Sequence, residues 1–183
     1  MAKLVWNKDD KEKAEKILSK YTEYLDIKGK NKKLLTDLLI KQCNGFCPFS
    51  GVYFKIAGCA TIEHFKPKVG QYDNLQIKLD NLFPCYSSCN VRTKYYQDNP
   101  SYNPSKVDII LKIKIDTANN FKAVPREAND KQAIETIRKY RLNPKYAGKK
   151  YDEYSIIAMR RYSWQFNKEN NILPPYNFSE YFA

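Results

Sequence analysis

A chain of 183 residues that is 43% hydrophobic and 14% aromatic carries enough apolar material to bury one core, which excludes general disorder. Its 32 Lys and Arg outnumber 20 Asp and Glu for a formal charge of +12, which favours a polyanionic partner. No apolar run approaches the roughly 18 residues of a membrane span, and the charged opening stretch lacks a secretory signal's apolar segment, so a cytoplasmic protein is expected.

Residues 1–42 read as helical. Asn7 caps a predicted helix from about Lys8 to Tyr24, with Ala14, Ile17, Leu18, Tyr21 and Leu25 as its apolar stripe. After the turn at Lys28-Gly29-Lys30, Asn31 caps a second helix to about Gln42, with Leu34, Leu35, Leu38 and Leu39 facing inward. From Cys43 to Tyr96 the texture changes. Gly, Pro, Cys and Asn punctuate short β-prone pieces, Val52-Tyr53-Phe54 and Ala60-Thr61-Ile62, and a loop from Lys68 to Leu82 precedes a helix expected near Ser88. Beyond Pro100, alternation of Val107, Ile109, Leu111, Ile113 and Ile115 with polar residues predicts a strand. Asn119-Asn120 turns it back into Phe121–Val124. Asp130 then caps a helix with Ala133, Ile134, Ile137 and Tyr140 inward, ending at Leu142-Asn143-Pro144. A last helix covers about Tyr151 to Phe166, and the Pro- and aromatic-rich tail reads as an extended strap. The predicted class is α+β, with a helical segment at 1–42, a central unit at 43–97 and a strand and helix extension at 98–183 packed on it.

The chemistry concentrates in the central unit. Five cysteines without an export signal point to thiols or metal ligands rather than disulfides. A single histidine, His64, excludes HExxH proteases, three-His zinc sites and any mechanism that needs two imidazoles. In Thr61-Ile62-Glu63-His64-Phe65-Lys66-Pro67-Lys68 a carboxylate stands beside an imidazole on extended backbone, where neighbouring side chains face opposite ways. Glu63 is thereby expected to hold a metal while His64 faces the attacking water. Asn90, at the start of the expected helix, offers an amide oxygen to the same ion. Few ligands, all oxygen, suit a hard cation such as Mg²⁺ or Mn²⁺. A lone His is more often structural than catalytic. Asn81 and Asn90 also have ordinary uses, as a turn residue and a helix cap.

The ordered set Glu63-His64-x-x-Pro67-Lys68, Asn81-Leu82 and Cys89-Asn90 resembles the HNH endonucleases, whose active site is a ββα-metal fold. The resemblance covers about residues 43–97. It implies His64 as general base, Asn81 as the residue that fastens the loop orienting the base, and Glu63 with Asn90 as ligands of one divalent ion. Glu63 stands where Asp is more usual and Asn90 where His often is. Lys66, Lys68, Arg92 and Lys94 flank the motif as phosphate contacts, each equally readable as a solvated charge. Many HNH proteins also carry two CxxC pairs that bind a structural zinc. Here Cys47 and Cys89 match, but Ser50 and Tyr86 occupy the other two places. Cys43 and Cys85 lie nearby, so either Cys43, Cys47, Cys85 and Cys89 form a four-thiolate zinc site, or the thiols pack as small apolar groups. Cys59 is expected in the core. The motif at 63–68, with Ala133 to Asn143, further resembles the Septu-type and retron-associated HNH subunits of anti-phage systems, which implies an ABC/SMC-like ATPase partner. The expected function is metal-dependent cleavage of nucleic acid, DNA favoured. The alternative is a non-catalytic zinc-knuckle module that binds nucleic acid or protein.

Overall fold

The computed structural model describes residues 6–58, 60–66, 70–90, 101–143 and 156–170. Among the described residues, five helices, α1 (Lys8–Leu18), α2 (Gly29–Gln42), α3 (Phe54–Ala57), α4 (Lys131–Lys139) and α5 (Ile156–Glu169), accompany four strands, β1 (Ala60–His64), β2 (Leu82–Tyr86), β3 (Ile113–Asp116) and β4 (Lys122–Pro125). The α+β class is therefore observed. None of the described helices is long and apolar enough to cross a membrane.

α1 starts as its sequence dictates, with Asn7 Oδ1 accepting the Asp10 N–H at 2.9 Å. It stops at Leu18, short of Tyr24, because Tyr24 is claimed by a distant part of the chain. The Tyr24 N–H donates to Gln76 Oε1 at 3.1 Å and its ring packs edge-on against His64. Tyr24 to Asp26 form a 3₁₀ turn that leaves Leu25 66% exposed, not on an inward stripe. α2 begins two residues before the expected cap. Asn31 lies inside the helix and donates from Nδ2 to the Tyr21 hydroxyl at 2.7 Å, while Leu34 is exposed and Leu35, Leu38 and Leu39 are buried. Asp10 joins α1 to α2 through Lys41 Nζ at 2.7 Å. Together with Ile62 and Leu82, the inward residues of α1 and α2 form one apolar cluster.

β1 and β2 pair antiparallel, Ala60 opposite Tyr86 through His64 opposite Leu82. Side chains alternate across this hairpin. Ile62 and Leu82 join the α1–α2 cluster, whereas Phe65, Phe83 and Cys85 join a second, larger cluster that includes Phe49, Ile113, Tyr140, Leu142 and Met159. The hairpin is thus covered on both faces. The central and C-terminal segments share the larger core. Each fully buried Leu, Ile or Phe contributes roughly 1.5–3 kcal/mol.

Three expectations need correction. Val52-Tyr53-Phe54 is not a strand: Tyr53 makes one isolated bridge to Phe46, and α3 begins at Phe54. The approach is close, since a Cβ on Gly45 (φ +82°) would lie 2.7 Å from the Tyr53 ring. Residues 109–111 form a 3₁₀ turn, because the Asp108 carboxylate accepts the Ile110 N–H at 3.3 Å and ends extended pairing, so the strand is only Ile113–Asp116. Ile134 is exposed on α4, whose cap at Asp130 and buried Ala133 and Tyr140 are as expected. The turn between β3 and β4 falls at Asn119-Asn120, with Asn120 and Phe121 at positive φ. The expected helix near Ser88 opens as a 3₁₀ turn, Ser87–Cys89. Its continuation, the start of the last helix, Cys59 and the aromatic tail lie outside the described residues.

Candidate active site and thiol cluster

His64 ends β1, and its ring is fixed on two sides. Nε2 lies 2.9 Å from the Gln76 carbonyl, and the Tyr24 ring stands edge-on with centroids 4.4 Å apart. A carbonyl oxygen only accepts, so Nε2 carries a hydrogen. Gln76 works twice: its carbonyl holds the imidazole while its side-chain oxygen holds the Tyr24 N–H.

The chain between β1 and β2 is closed by Asn81. Its Oδ1 accepts the Lys66 N–H at 2.7 Å, and its Nδ2 donates to the carbonyls of Lys66 (3.2 Å) and Leu75 (3.1 Å). One backbone bond, from the Phe65 N–H to the Asn81 carbonyl at 3.0 Å, extends the ladder past His64. Asn81 is buried, and all three partners are backbone groups of the loop it spans. It ties the residue that follows Phe65 to the segment that supplies Gln76.

Glu63 lies on β1, and Asn90 bonds to the two residues that precede it there. Ile62 and Pro84 form a pair without mutual ladder hydrogen bonds, so the Ile62 carbonyl faces away from β2, where Asn90 Nδ2 donates to it at 3.3 Å and to Thr61 Oγ1 at 2.9 Å. With its nitrogen committed to β1, the Asn90 amide retains its oxygen as the acceptor. A carboxylate next in sequence to Ile62 and an amide oxygen make a hard, all-oxygen donor pair of the kind that Mg²⁺ or Mn²⁺ accepts. Both motif residues are more enclosed than the sequence suggests. Glu63 is 3% and His64 6% exposed, because the α1–α2 layer and the C-terminal core each cover one face of the hairpin. His64 faces Tyr24 and Gln76 rather than open solvent.

Lys139, the last residue of α4, was not legible as a site residue in the sequence. Its Nζ donates to the Phe65 carbonyl and to Ser101 Oγ, each at 3.2 Å, and lies 4.4 Å from the Phe65 ring centroid. Burial pulls its pKa down to about 8, the Glu63 carboxylate opposes that shift and Lys66 adds to it. Lys66 Nζ itself stands over the Tyr72 ring at 5.0 Å. The other three basic residues expected to flank the motif, Lys68, Arg92 and Lys94, lie outside the described residues.

Behind the hairpin three thiols converge. The sulfur atoms of Cys47, Cys85 and Cys89 lie within 4.8 Å of one another and all three residues are buried, a group able to hold a metal ion. Cys47 opens a tight turn in which the Gly51 N–H returns to the Cys47 carbonyl (3.0 Å) and the Ser50 N–H points at its sulfur (3.4 Å). A second N–H, from Tyr86, reaches the same sulfur at 3.4 Å. Burial alone would raise the Cys47 thiol, but hydrogen bonds from Cys85, Cys89, Ser50 and the Tyr86 N–H reverse it and hold the group well below the ordinary thiol range. Burial pushes Cys85 and Cys89 well up.

The fourth expected thiol is absent from this group. Cys43 caps the C-terminus of α2, and Asn44 (φ +47°) and Gly45 (φ +82°) turn the chain away before Cys47. It is buried near enough to Cys47 to feel its charge, but outside the 4.8 Å group. Compared with protein-family models, curated proteins and solved structures, the chain matches none.

Proposed function

We propose that this protein is a metal-dependent endonuclease of the HNH type that hydrolyses phosphodiester bonds of nucleic acid, DNA in preference, with β1 and β2 as the two strands of a ββα-metal site. One observation carries the reading: His64 is held through Nε2 by a backbone carbonyl, beside a buried carboxylate on a strand that also anchors the Asn90 amide. That arrangement fixes the tautomer in which Nδ1 takes a proton. Glu63 and Asn90 would hold one Mg²⁺ or Mn²⁺, which supplies charge stabilisation at the scissile phosphate when bound.

The remaining chemistry belongs to the chain. His64 Nδ1 removes a proton from water, the water oxygen bonds to phosphorus, and the bond from phosphorus to the 3′ oxygen breaks. Asn81 keeps the loop and its Gln76 carbonyl at a fixed distance from the ring, so the imidazole does not turn. The surplus of +12 draws the strand in without reading its sequence. In the same reading the Cys47, Cys85 and Cys89 group holds a structural zinc that braces the hairpin from behind. The ABC/SMC-like ATPase partner and the anti-phage role rest on the resemblance of residues 63–68 together with 133–143. Ala133, Thr136, Tyr140 and Leu142 in that stretch are buried and serve the core.

His64→Gln keeps a donor for the Gln76 carbonyl but has no basic nitrogen. Plasmid nicking in Mg²⁺ or Mn²⁺ is expected to fall by at least about 100-fold, with the melting temperature and DNA binding retained. Nicking at the parental rate by that variant excludes His64 as the base. A second reading, a zinc-knuckle module without turnover, is favoured by the enclosure of Glu63 and His64. It predicts bound zinc and no nicking by the parental chain with any divalent cation.

A further inference from the structure

We propose that Lys139 is a positioning residue for the Glu63–His64 pair, so that the C-terminal segment completes the site instead of merely covering it. The inference rests on the nuclease reading for the use to which that pair is put. A lysine at the end of an amphipathic helix ordinarily extends its ammonium into water. This one turns inward, setting its ammonium over the Phe65 and Tyr140 rings (Nζ 4.4 and 5.1 Å from the ring centroids) and within reach of the Phe65 carbonyl and the Ser101 hydroxyl. Enclosing an ammonium is unfavourable unless an opposite charge accompanies it, and Glu63, which stands two residues before Phe65 and opposite Phe83 on the face of β1 that joins the same core, supplies a carboxylate that acts on it.

Two consequences follow for the site. Phe65 comes directly after His64, so a charge-assisted bond to its carbonyl pins the backbone on the exit side of the imidazole, as the Asn81 amide pins the next residue. The ammonium also sets the charge that a dication meets at Glu63: a fixed positive neighbour weakens cation binding while it holds the carboxylate in place. Loss of the charge therefore tightens the cation and loosens the backbone, whereas a purely structural lysine, once lost, could only weaken the cation. That opposition of signs is the signature.

The test uses the full chain and Mn²⁺ alone. Binding is measured by calorimetry for the parental protein, Lys139→Met and Lys139→Arg, with Glu63→Gln as the reference that lacks the site, and plasmid nicking and melting temperature are recorded in parallel. Lys139→Met is expected to bind Mn²⁺ at least about 5-fold more tightly than the parent and to nick at least about 10-fold more slowly at saturating metal. Lys139→Arg keeps the charge and should retain the parental Mn²⁺ affinity. Equal or weaker Mn²⁺ binding by Lys139→Met, an arginine variant that binds like the methionine one, or no binding by any of the chains overturns the assignment. The predicted binding pattern in a parental chain that never nicks DNA removes the nuclease reading and leaves Lys139 assigned to Glu63. Nicking by the parent that Lys139→Met leaves unchanged, with unchanged Mn²⁺ affinity, does the reverse.

Discussion

Three converging sulfur atoms are one donor short of the four that a structural zinc takes, and the residue at the vacant place in the sequence pattern is Ser50. Ser50 is fully buried, its N–H points at Cys47 Sγ, and its hydroxyl accepts the Val52 N–H at 3.3 Å. Ser50→Cys should therefore raise zinc retention against a competing chelator, by about 10-fold or more, without disturbing the turn. Zinc content that falls to the parental level at the same chelator concentration would deny Ser50 the fourth position. The residue scale is also where the sequence was most informative. Glu63 and His64 stand on the β1–β2 hairpin, and Asn81 and Asn90 bond to its ends and its first strand. Two things were not legible. The sequence could not separate Cys43 from the other thiols, because C-x₃-C spacing does not reveal that Asn44 and Gly45 take positive φ. Nor could it find Lys139, whose contact with Phe65 spans 74 residues.

At the scale of elements, α1 is held to α2 by a polar clasp as well as by its apolar face. The Asp10 carboxylate meets Lys41 Nζ at 2.7 Å, Asn7 Nδ2 at 2.7 Å and Gln42 Nε2 at 3.4 Å. The Lys41 hydrogen bond is the leading cause that holds the Asp10 pKa below the usual carboxylate range. A carboxylate with a depressed folded pKa stabilises the fold above its unfolded value, near 4, and that stabilisation disappears as pH falls through the folded value. Asp10→Asn should thus lower the melting temperature at pH 7 and flatten its fall between about pH 5 and pH 2. Melting curves for the two chains that stay parallel through that range would show that the clasp contributes nothing. Elements were predicted well where a cap or a strict period governs them, as with Asn7, Asp130 and the Asn119-Asn120 turn. They were missed where a tertiary contact overrides the local pattern. Tyr24 leaves the α1 register to meet Gln76 and His64, and the alternation at 107–115 breaks where Asp108 captures the Ile110 N–H.

Over the whole molecule, the two apolar clusters are joined by the β1–β2 hairpin, which gives Ile62 and Leu82 to one and Phe83 and Cys85 to the other. Within the larger cluster, a polar tie runs through Arg160, which is 0% exposed. From α5 its Nε donates to the Ser50 carbonyl at 2.7 Å and its Nη1 to the carbonyls of Phe121 (3.1 Å) and Leu142 (2.8 Å). One guanidinium therefore fastens the thiol turn, the end of the β3–β4 hairpin turn and the segment after α4. Arg160→Met keeps much of the volume but strands three buried carbonyls, each worth about 1–3 kcal/mol unpaired, so a loss of about 3 kcal/mol or more is expected in urea unfolding. The two tryptophans report on this independently, Trp6 against the N-terminal cluster and Trp164 against the larger one. Because the hairpin belongs to both cores, neither cluster keeps its floor when the other melts. Single-tryptophan variants, Trp6→Phe and Trp164→Phe, should then show coincident urea midpoints in the parental background, and Arg160→Met should shift both by the same amount. A Trp6 midpoint that stays in place while that of Trp164 moves would make the N-terminal helices an independent unit. His64 would then owe its orientation to Gln76 and Tyr24 alone, not to the C-terminal core.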